Sequence, residues 1–126
     1  NGAYDLIFLQ TGSGKIGIAN AVPLSALDND SSISSGRIRT VTGTTTLLDT
    51  DFTILVNNSS NIIMNLPTAA SAERREYMIK KISENTNTVT VDPDGGELID
   101  GQTTYVITSS YNSIKIKSNG TSWYIV

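Results

Sequence analysis

The chain has 126 residues, which is enough for one domain with a hydrophobic core and a short appendage. It contains no Cys and no His, so a thiol nucleophile, a disulfide framework, a Cys/His zinc site and an imidazole base are excluded. The formal net charge is -3. No basic face is evident for nucleic acid, and no apolar run is long enough to cross a membrane. We therefore expect no nucleic-acid partner, no membrane insertion, no metal and no cofactor.

Small polar residues dominate the composition, with 15 Ser, 16 Thr and 11 Asn, while charged residues make up only 17% of the chain. Thr suits the pleated surface of a strand, and Asn, Ser and Gly suit the turns between strands. The composition therefore favours a β-protein whose exposed surface carries hydroxyl and amide groups.

The first 36 residues differ from the rest of the chain. Short strands are predicted at Tyr4–Leu9 and at Lys15–Ile18. The segment Ala21–Asp30 is predicted to be irregular, because it contains Pro23 and a cluster of Asp and Asn, and a Ser-rich stretch follows it. We expect residues 1–36 to form an irregular or β segment that packs against neighbouring chains.

From residue 37 onward, short β-prone runs alternate with turn-forming residues. The predicted strands are Arg37–Thr42, Phe52–Val56, Ile62–Leu66, Tyr77–Ile82, Thr88–Val91, Thr104–Thr108, Ile114–Lys117 and Trp123–Val126. Only Thr68–Glu76 has helix-forming residues, and it is long enough for one or two turns at most. Short, regularly spaced strands predict an all-β fold, and we expect an antiparallel β-sandwich or jelly-roll-like head domain over residues 37–126.

The last two strands are predicted to form a hairpin. Asn119-Gly120 lies between two alternating runs, and this dipeptide readily adopts the positive φ angles of a type I′ turn. Ile114 and Ile116 are expected on the buried face, with the lysines between and after them in water.

An ordered series of phrases from Thr42 to Val126 resembles a module near the C-terminus of bacteriophage tail fibres and related virion proteins. The phrases are Asp51–Val56, Ile63–Thr68, Tyr77–Lys81, Val89–Pro93, Leu98–Gly101, and the closing hairpin of Ser113–Ile116, Asn119-Gly120 and Trp123–Ile125. Val22–Asp30 is similar to a phrase found upstream of domains in phage structural proteins. One departure is that Arg75-Glu76 stands where the family often has Gly, which puts the local turn in question.

The resemblance implies a domain at the tip of a fibre that assembles as a homotrimer and attaches to a receptor on the host cell. Residues 1–36 are then expected to be the neck of the fibre or a remnant of its shaft. It implies a location on the virion, at the fibre or tail tip, which meets the host surface from outside. Such a module does not supply individual binding residues, because these vary among its members.

Acidic residues between Asp92 and Asp100 are the nearest approach to an active site. Paired carboxylates cleave glycosidic bonds, and dense oxygen ligands bind Ca²⁺. However, Asp92-Pro93-Asp94-Gly95-Gly96 and Asp100-Gly101 are turn sequences, and the spacing does not match an EF-hand loop. We expect turns here and no catalytic residue, although a bound cation and a polysaccharide depolymerase remain alternatives.

Several other motifs have structural interpretations. Gly12-Ser13-Gly14-Lys15 lacks the remaining parts of a phosphate-binding loop and is followed by a predicted strand. Trp123, Tyr77 and Tyr105 are expected in the core. The pairs Arg74-Arg75 and Lys80-Lys81 are flanked by glutamates and are expected to be solvated surface.

The function predicted from the sequence is attachment of a phage fibre to a host-surface glycan or protein, by a trimer without enzymatic activity. The binding loops are expected at Asn57–Asn61, Asp94–Gly96 and Ser109–Asn112, because rigid β-scaffolds present variable loops. The candidate ligand-binding residues are Asn57, Asn58, Asn61, Asp94, Tyr111 and Asn112. The alternative is a purely structural domain that trimerises or caps a fibre.

Overall fold

The computed structural model describes residues 7–10, 14–18, 22, 24–29 and 36–126. The chain divides into two compact units, Asn1–Ser35 and Gly36–Val126. Parts of four sequence-based predictions lie outside the described residues: Tyr4–Leu6 of the first strand, Gly12-Ser13 of the glycine-rich motif, Ala21, Pro23 and Asp30 of the irregular segment, and the Ser-rich stretch 31–35.

The first unit contains a small three-stranded sheet. Strand β1 (Ile7–Gln10) pairs antiparallel with β2 (Lys15–Ile18), and β2 pairs in parallel with β3 (Leu27–Asn29). Strand β2 lies where it was predicted, which removes the phosphate-loop interpretation of Lys15. The prediction of irregular structure is wrong for β3, because Leu27 pairs with Ile16 and extends the sheet in spite of its polar neighbours.

The second unit, which is described throughout, is built from nine short strands and has no α-helix. The strands are β4 (Arg37–Val41), β5 (Thr45–Thr46), β6 (Asp51–Val56), β7 (Ile62–Asn65), β8 (Glu76–Lys81), β9 (Val89–Asp92), β10 (Tyr105–Ile107), β11 (Ser113–Ser118) and β12 (Trp123–Ile125). A five-stranded sheet has the order β12-β11-β8-β6-β4, and a four-stranded sheet has the order β10-β9-β7-β5. The expectation of an all-β, sandwich-like fold is confirmed.

The chain changes sheet at every turn from β4 to β9. Strands β4, β6 and β8 are parallel neighbours in the larger sheet, and β5, β7 and β9 are parallel neighbours in the smaller one. Each pair β4/β5, β6/β7 and β8/β9 therefore forms one coil, and the three coils stack on one another. The sheets are mixed, whereas purely antiparallel sheets were expected.

Antiparallel strands complete both sheets next to the third coil. Strand β10 pairs with β9, while β11 pairs with β8 and then with β12 in the closing hairpin. This hairpin was predicted, but its turn is not of type I′, because only Gly120 has a positive φ within residues 119–122. The Asn119 side chain instead accepts hydrogen bonds from the N–H groups of Thr121 and Ser122, at 3.0 and 2.9 Å.

The core lies between the two sheets and consists of alternating strand residues. Tyr77 and Trp123 are its largest apolar side chains, both fully buried as predicted, with ring centroids 5.9 Å apart. Ile114 and Ile116 also face inward, as expected from their spacing. Tyr105 was expected in the core, but it is 37% exposed because β10 is an edge strand of the smaller sheet.

The segment with helix-forming residues forms consecutive turns at Ala69–Arg74 and no helix. The turn that the missing family Gly put in question is present, with Arg74 in the left-handed region at φ 66°. The described part of the chain holds no helix with the length and apolar character needed to span a bilayer.

Candidate functional site: the amide edge

Parallel stacking places the turns that follow β4, β6 and β8 at the same edge of the second unit. These are residues 42–44, 57–61 and 82–88, and the connection 108–112 between β10 and β11 joins them. We call these four segments the amide edge. Backbone N–H groups tie each segment to the preceding coil: Asn57 donates to Val41 O and Ile82 to Val56 O, both at 2.8 Å. The loops thus form one continuous surface.

Asn58 holds the loops of the amide edge together from inside. Its side chain is buried, with 2% of the residue exposed. The amide nitrogen donates to Ser60 O at 2.7 Å, and the amide oxygen accepts a hydrogen bond from Ser83 Oγ at 2.5 Å. Asn85 donates in turn to Asn58 O at 2.6 Å. Asn58, one of the sequence candidates, is therefore a positioning residue that has no access to a ligand.

Lys81 lies beneath the same loops. It is 0% exposed, and its ammonium group donates to Ser83 O at 3.0 Å and to Asn85 O at 2.7 Å. The prediction that this lysine is solvated surface is wrong. Alternation along β8 places it on the same inward face as Tyr77 and Ile79, and this period was the sequence signal that could have located it.

Tyr111 is the most exposed aromatic residue of the amide edge, with 55% of its surface accessible. Its backbone has φ 63°, a conformation that bulky residues rarely adopt. Its N–H donates to Lys81 O at 2.8 Å, and its carbonyl accepts from Lys80 Nζ at 2.8 Å. The hydroxyl donates to the Glu84 carboxylate, which raises the pKa of Tyr111, mainly through this bond and secondarily through the negative charge.

Five of the six candidate residues meet at this edge. Asn57, Asn61 and Asn112 are exposed, beside Tyr111 and the buried Asn58. The Asn61 side chain caps the neighbouring turn by accepting from Thr88 N–H at 2.9 Å. Asn57 and Asn112 make no side-chain hydrogen bond with the described residues and present their amides to solvent.

Asp94, the sixth candidate, lies at the opposite edge of the second unit. It lines a polar depression of about 310 Å³ with Thr46, Asn65 and Asp92, three residues that stand in register at the ends of β5, β7 and β9. The backbone around Asp94 forms a short 3-10 turn, in agreement with the turn predicted there. Asp94 therefore cannot share a ligand with Tyr111.

The other acidic residues of this region bind the protein itself. The Glu97 carboxylate accepts from Ala69 N–H at 2.8 Å and from the Trp123 indole N–H at 3.2 Å. Asp100 Oδ1 accepts from Ile125 N–H at 3.3 Å. Among the described residues, no three acidic side chains come together as a metal site would require.

Sequence reasoning also missed Glu84, in addition to Lys81 and its loop partners Ser83 and Asn85. The contact of Glu84 with Tyr111 joins the loop after β8 to the connection between β10 and β11. The two residues are far apart in the sequence, so no local pattern indicates that they meet. No protein-family model, no curated protein and no solved structure matches this chain.

Proposed function

We propose that this chain is the head of a phage fibre and attaches the virion to a glycan on the host cell through the amide edge. The observation that carries the proposal is Tyr111, an exposed aromatic ring fixed by hydrogen bonds on both sides of its backbone. Strained conformations of this kind persist where the surrounding structure enforces them, and they cluster at functional sites.

The chemistry around Tyr111 suits a sugar. A tyrosine ring offers an apolar face and a polar hydroxyl, and the apolar face of a pyranose stacks on such rings. Asn57, Asn112 and the neighbouring serines supply amide and hydroxyl groups for the sugar hydroxyls. Glu84 is the only carboxylate of the edge, so a neutral glycan is the better match. Each site is proposed to bind the glycan weakly, and several copies on one virion together provide the overall affinity for the cell surface.

A non-enzymatic role agrees with the surroundings of the carboxylates. Glu97 and Asp100 accept backbone and indole N–H groups, which anchors the ends of the sheets. The chain is proposed to bind its glycan and leave it uncleaved.

The proposed head is a homotrimer that assembles through the first unit. Ile16 and Ile18 lie on one face of β2, Leu27 pairs with Ile16, and all three are exposed, Leu27 to 60%. Apolar side chains grouped on one small sheet are typical of a surface that another chain covers. Light scattering on a sizing column is expected to give the mass of three chains.

Replacement of Tyr111 tests the attachment proposal. Tyr111→Asn removes the ring and keeps a residue that tolerates the left-handed conformation. We expect this variant to fold normally and to lose binding to host cells and to their isolated surface polysaccharide. The matched control is Tyr105→Asn, which removes an exposed tyrosine outside the amide edge and is expected to bind like the wild type.

A structural cap for a fibre is the second candidate, favoured by the apolar face of the first unit. A structural cap requires self-association of the chain but no binding to the host cell. If the chain is a trimer that binds neither host cells nor polysaccharide, the structural cap is established and the attachment proposal is overturned. If light scattering gives the mass of a monomer, the proposal of a trimer is overturned.

A further inference from the structure

A second surface, at the edge opposite the amide edge, contains a cleft of about 430 Å³. One wall is the turn segment at Glu73 and Arg74, and the other is the β11–β12 hairpin with Lys117 and Tyr124. Clefts of about 300–1,000 Å³ are typical of sites for small molecules. Unlike the amide edge, where the charged side chain beside the aromatic ring is an acid, this cleft has the cationic side chains of Arg74 and Lys117 near Tyr124.

The two walls of the cleft are joined by Ser118. Arg74 N–H donates to Ser118 O at 3.0 Å, and Ser118 N–H donates to Arg75 O at 3.1 Å. The Ser118 hydroxyl is buried and donates to Ala69 O at 2.6 Å. These bonds fix the turn segment to the end of β11, so the cleft is preformed and a ligand does not have to order it.

Arg74 occupies a backbone position that suits Gly or Asn. Its φ is 66°, which an arginine adopts at a cost in stability. The guanidinium contributes little to the stability of the fold: the Arg74 side chain is 86% exposed, and its ion pair with Glu73 has a distance of 3.6 Å. An exposed pair of this kind contributes little. The strained position and the exposed cation together indicate a role outside the fold.

The charge around the cleft is positive, although the chain as a whole carries -3. Lys117 stands directly across from Tyr124 in the hairpin and from Glu76 on β8. The Glu76 carboxylate pairs with Lys115 at 3.4 Å. Counting Glu73 against Arg74, the lining side chains retain the charge of Lys117, and the other lining residues, Ser118, Asn119, Tyr124 and Val126, have uncharged side chains. An anionic group is therefore favoured here.

We propose that this cleft binds an acidic sugar of the hexuronate type. The carboxylate lies against the Arg74 guanidinium, whose planar fork matches a carboxylate, and against the Lys117 ammonium group. The sugar ring lies on the exposed face of Tyr124. This site is separate from the amide edge and does not depend on the function proposed for Tyr111.

Titration of the full chain with D-glucuronate, followed by amide shifts in heteronuclear NMR, tests the proposal. We expect shifts at Arg74, Lys117 and Tyr124. D-glucose, which has the ring without the charge, and inorganic phosphate, which has the charge without the ring, are expected to bind at least about tenfold more weakly, since each loses one half of the contact.

Arg74→Gly is the decisive variant because it separates function from folding. We expect its Kd for glucuronate to rise about tenfold or more through loss of a charge-assisted hydrogen bond, while its resistance to urea stays equal or increases. Tyr111→Asn is the control and is expected to bind glucuronate normally. Absence of shifts at the cleft, equal binding of phosphate, or unchanged binding by Arg74→Gly would each overturn the proposal.

Discussion

Tyr111, Arg74 and Gly36, three residues of the second unit, occupy left-handed backbone positions, and the position of Gly36 is also sterically crowded. Tyr111 and Arg74 hold large exposed side chains at φ 63° and 66°, one at each edge of the second unit. Gly36 also has a positive φ, 65°, and in addition its backbone passes directly against the Phe52 side chain. The first two positions gain an exposed group at the expense of strain, and the third needs glycine to fit.

Glu84→Gln is expected to lower the pKa of Tyr111 toward 10.0. The carboxylate accepts the phenolic hydrogen and repels the phenolate, and the amide does neither as strongly. Because the folded pKa lies above the unfolded value, the pair stabilises the fold below about pH 10, and this contribution is lost as pH rises through the folded pKa. Ring NMR signals followed against pH measure it, with Tyr105 as the internal control.

Gly36→Ala is expected to destabilise the second unit by about 3 kcal/mol, through overpacking and the unfavourable φ. A Cβ at this position would lie 2.1 Å from Phe52 Cβ. Gly43→Ala is the matched control, because Gly43 has no heavy atom within 4 Å of an added Cβ and is expected to be close to neutral. Urea unfolding of the two variants measures the difference, and equal midpoints would contradict the clash.

At the scale of elements, the end of β8 organises the amide edge. Lys81 satisfies two loop carbonyls from a fully buried position, and the adjacent Lys80 holds the carbonyl of Tyr111. A buried ammonium is costly unless its donors are engaged. This strand end therefore links the core to the shape of the loops.

Lys81→Met is expected to destabilise the protein by about 1–3 kcal/mol, since methionine fills the volume and leaves the carbonyls of Ser83 and Asn85 without a donor. Amide hydrogen exchange of residues 83–87 is expected to be faster in this variant than in the wild type. Lys115→Met, which removes a partly exposed lysine on β11, serves as the control. Unchanged exchange at 83–87 would show that the loops keep their shape without the ammonium group.

Alternation predicted eight of the nine strands of the second unit, because period two is a local property that is visible from Phe52–Val56 to Trp123. Strand β5 (Thr45–Thr46) was missed, because two residues are too few to show a period. Which strands pair with one another in the sheets was not predictable in the same way. Antiparallel sheets were expected, yet the turns after β4, β6 and β8 each lead into the other sheet, so that successive strands of one sheet are parallel. The amide edge follows from this stacking, which explains why Asn57 and Tyr111 meet and Asp94 does not. The left-handed Tyr111 and Arg74 have no sequence signal, because Gly or Asn is the usual indicator.

At the scale of the whole molecule, the two units differ in how they are stabilised. The buried apolar residues described for the chain all lie between Val41 and Trp123, inside the second unit. The described strands of the first unit form a three-stranded sheet whose apolar residues Ile16, Ile18 and Leu27 are exposed.

A chain of residues 36–126 alone is therefore expected to melt at the same temperature as residues 1–126. It is also expected to lose the proposed self-association, because the apolar face of the first unit is gone. Circular dichroism and light scattering on both lengths measure these properties. A large drop in melting temperature would mean that the first 35 residues contribute to the stability of the second unit.

Stacked coils also separate changes in the loops from changes in the core. Each turn of the amide edge begins and ends in strands whose register is set by the neighbouring coils, and these turns already differ in length, from 42–44 to 82–88. Insertions at one turn leave both sheets in register. A chain with this architecture can lengthen or shorten one loop without rebuilding the scaffold that holds the others.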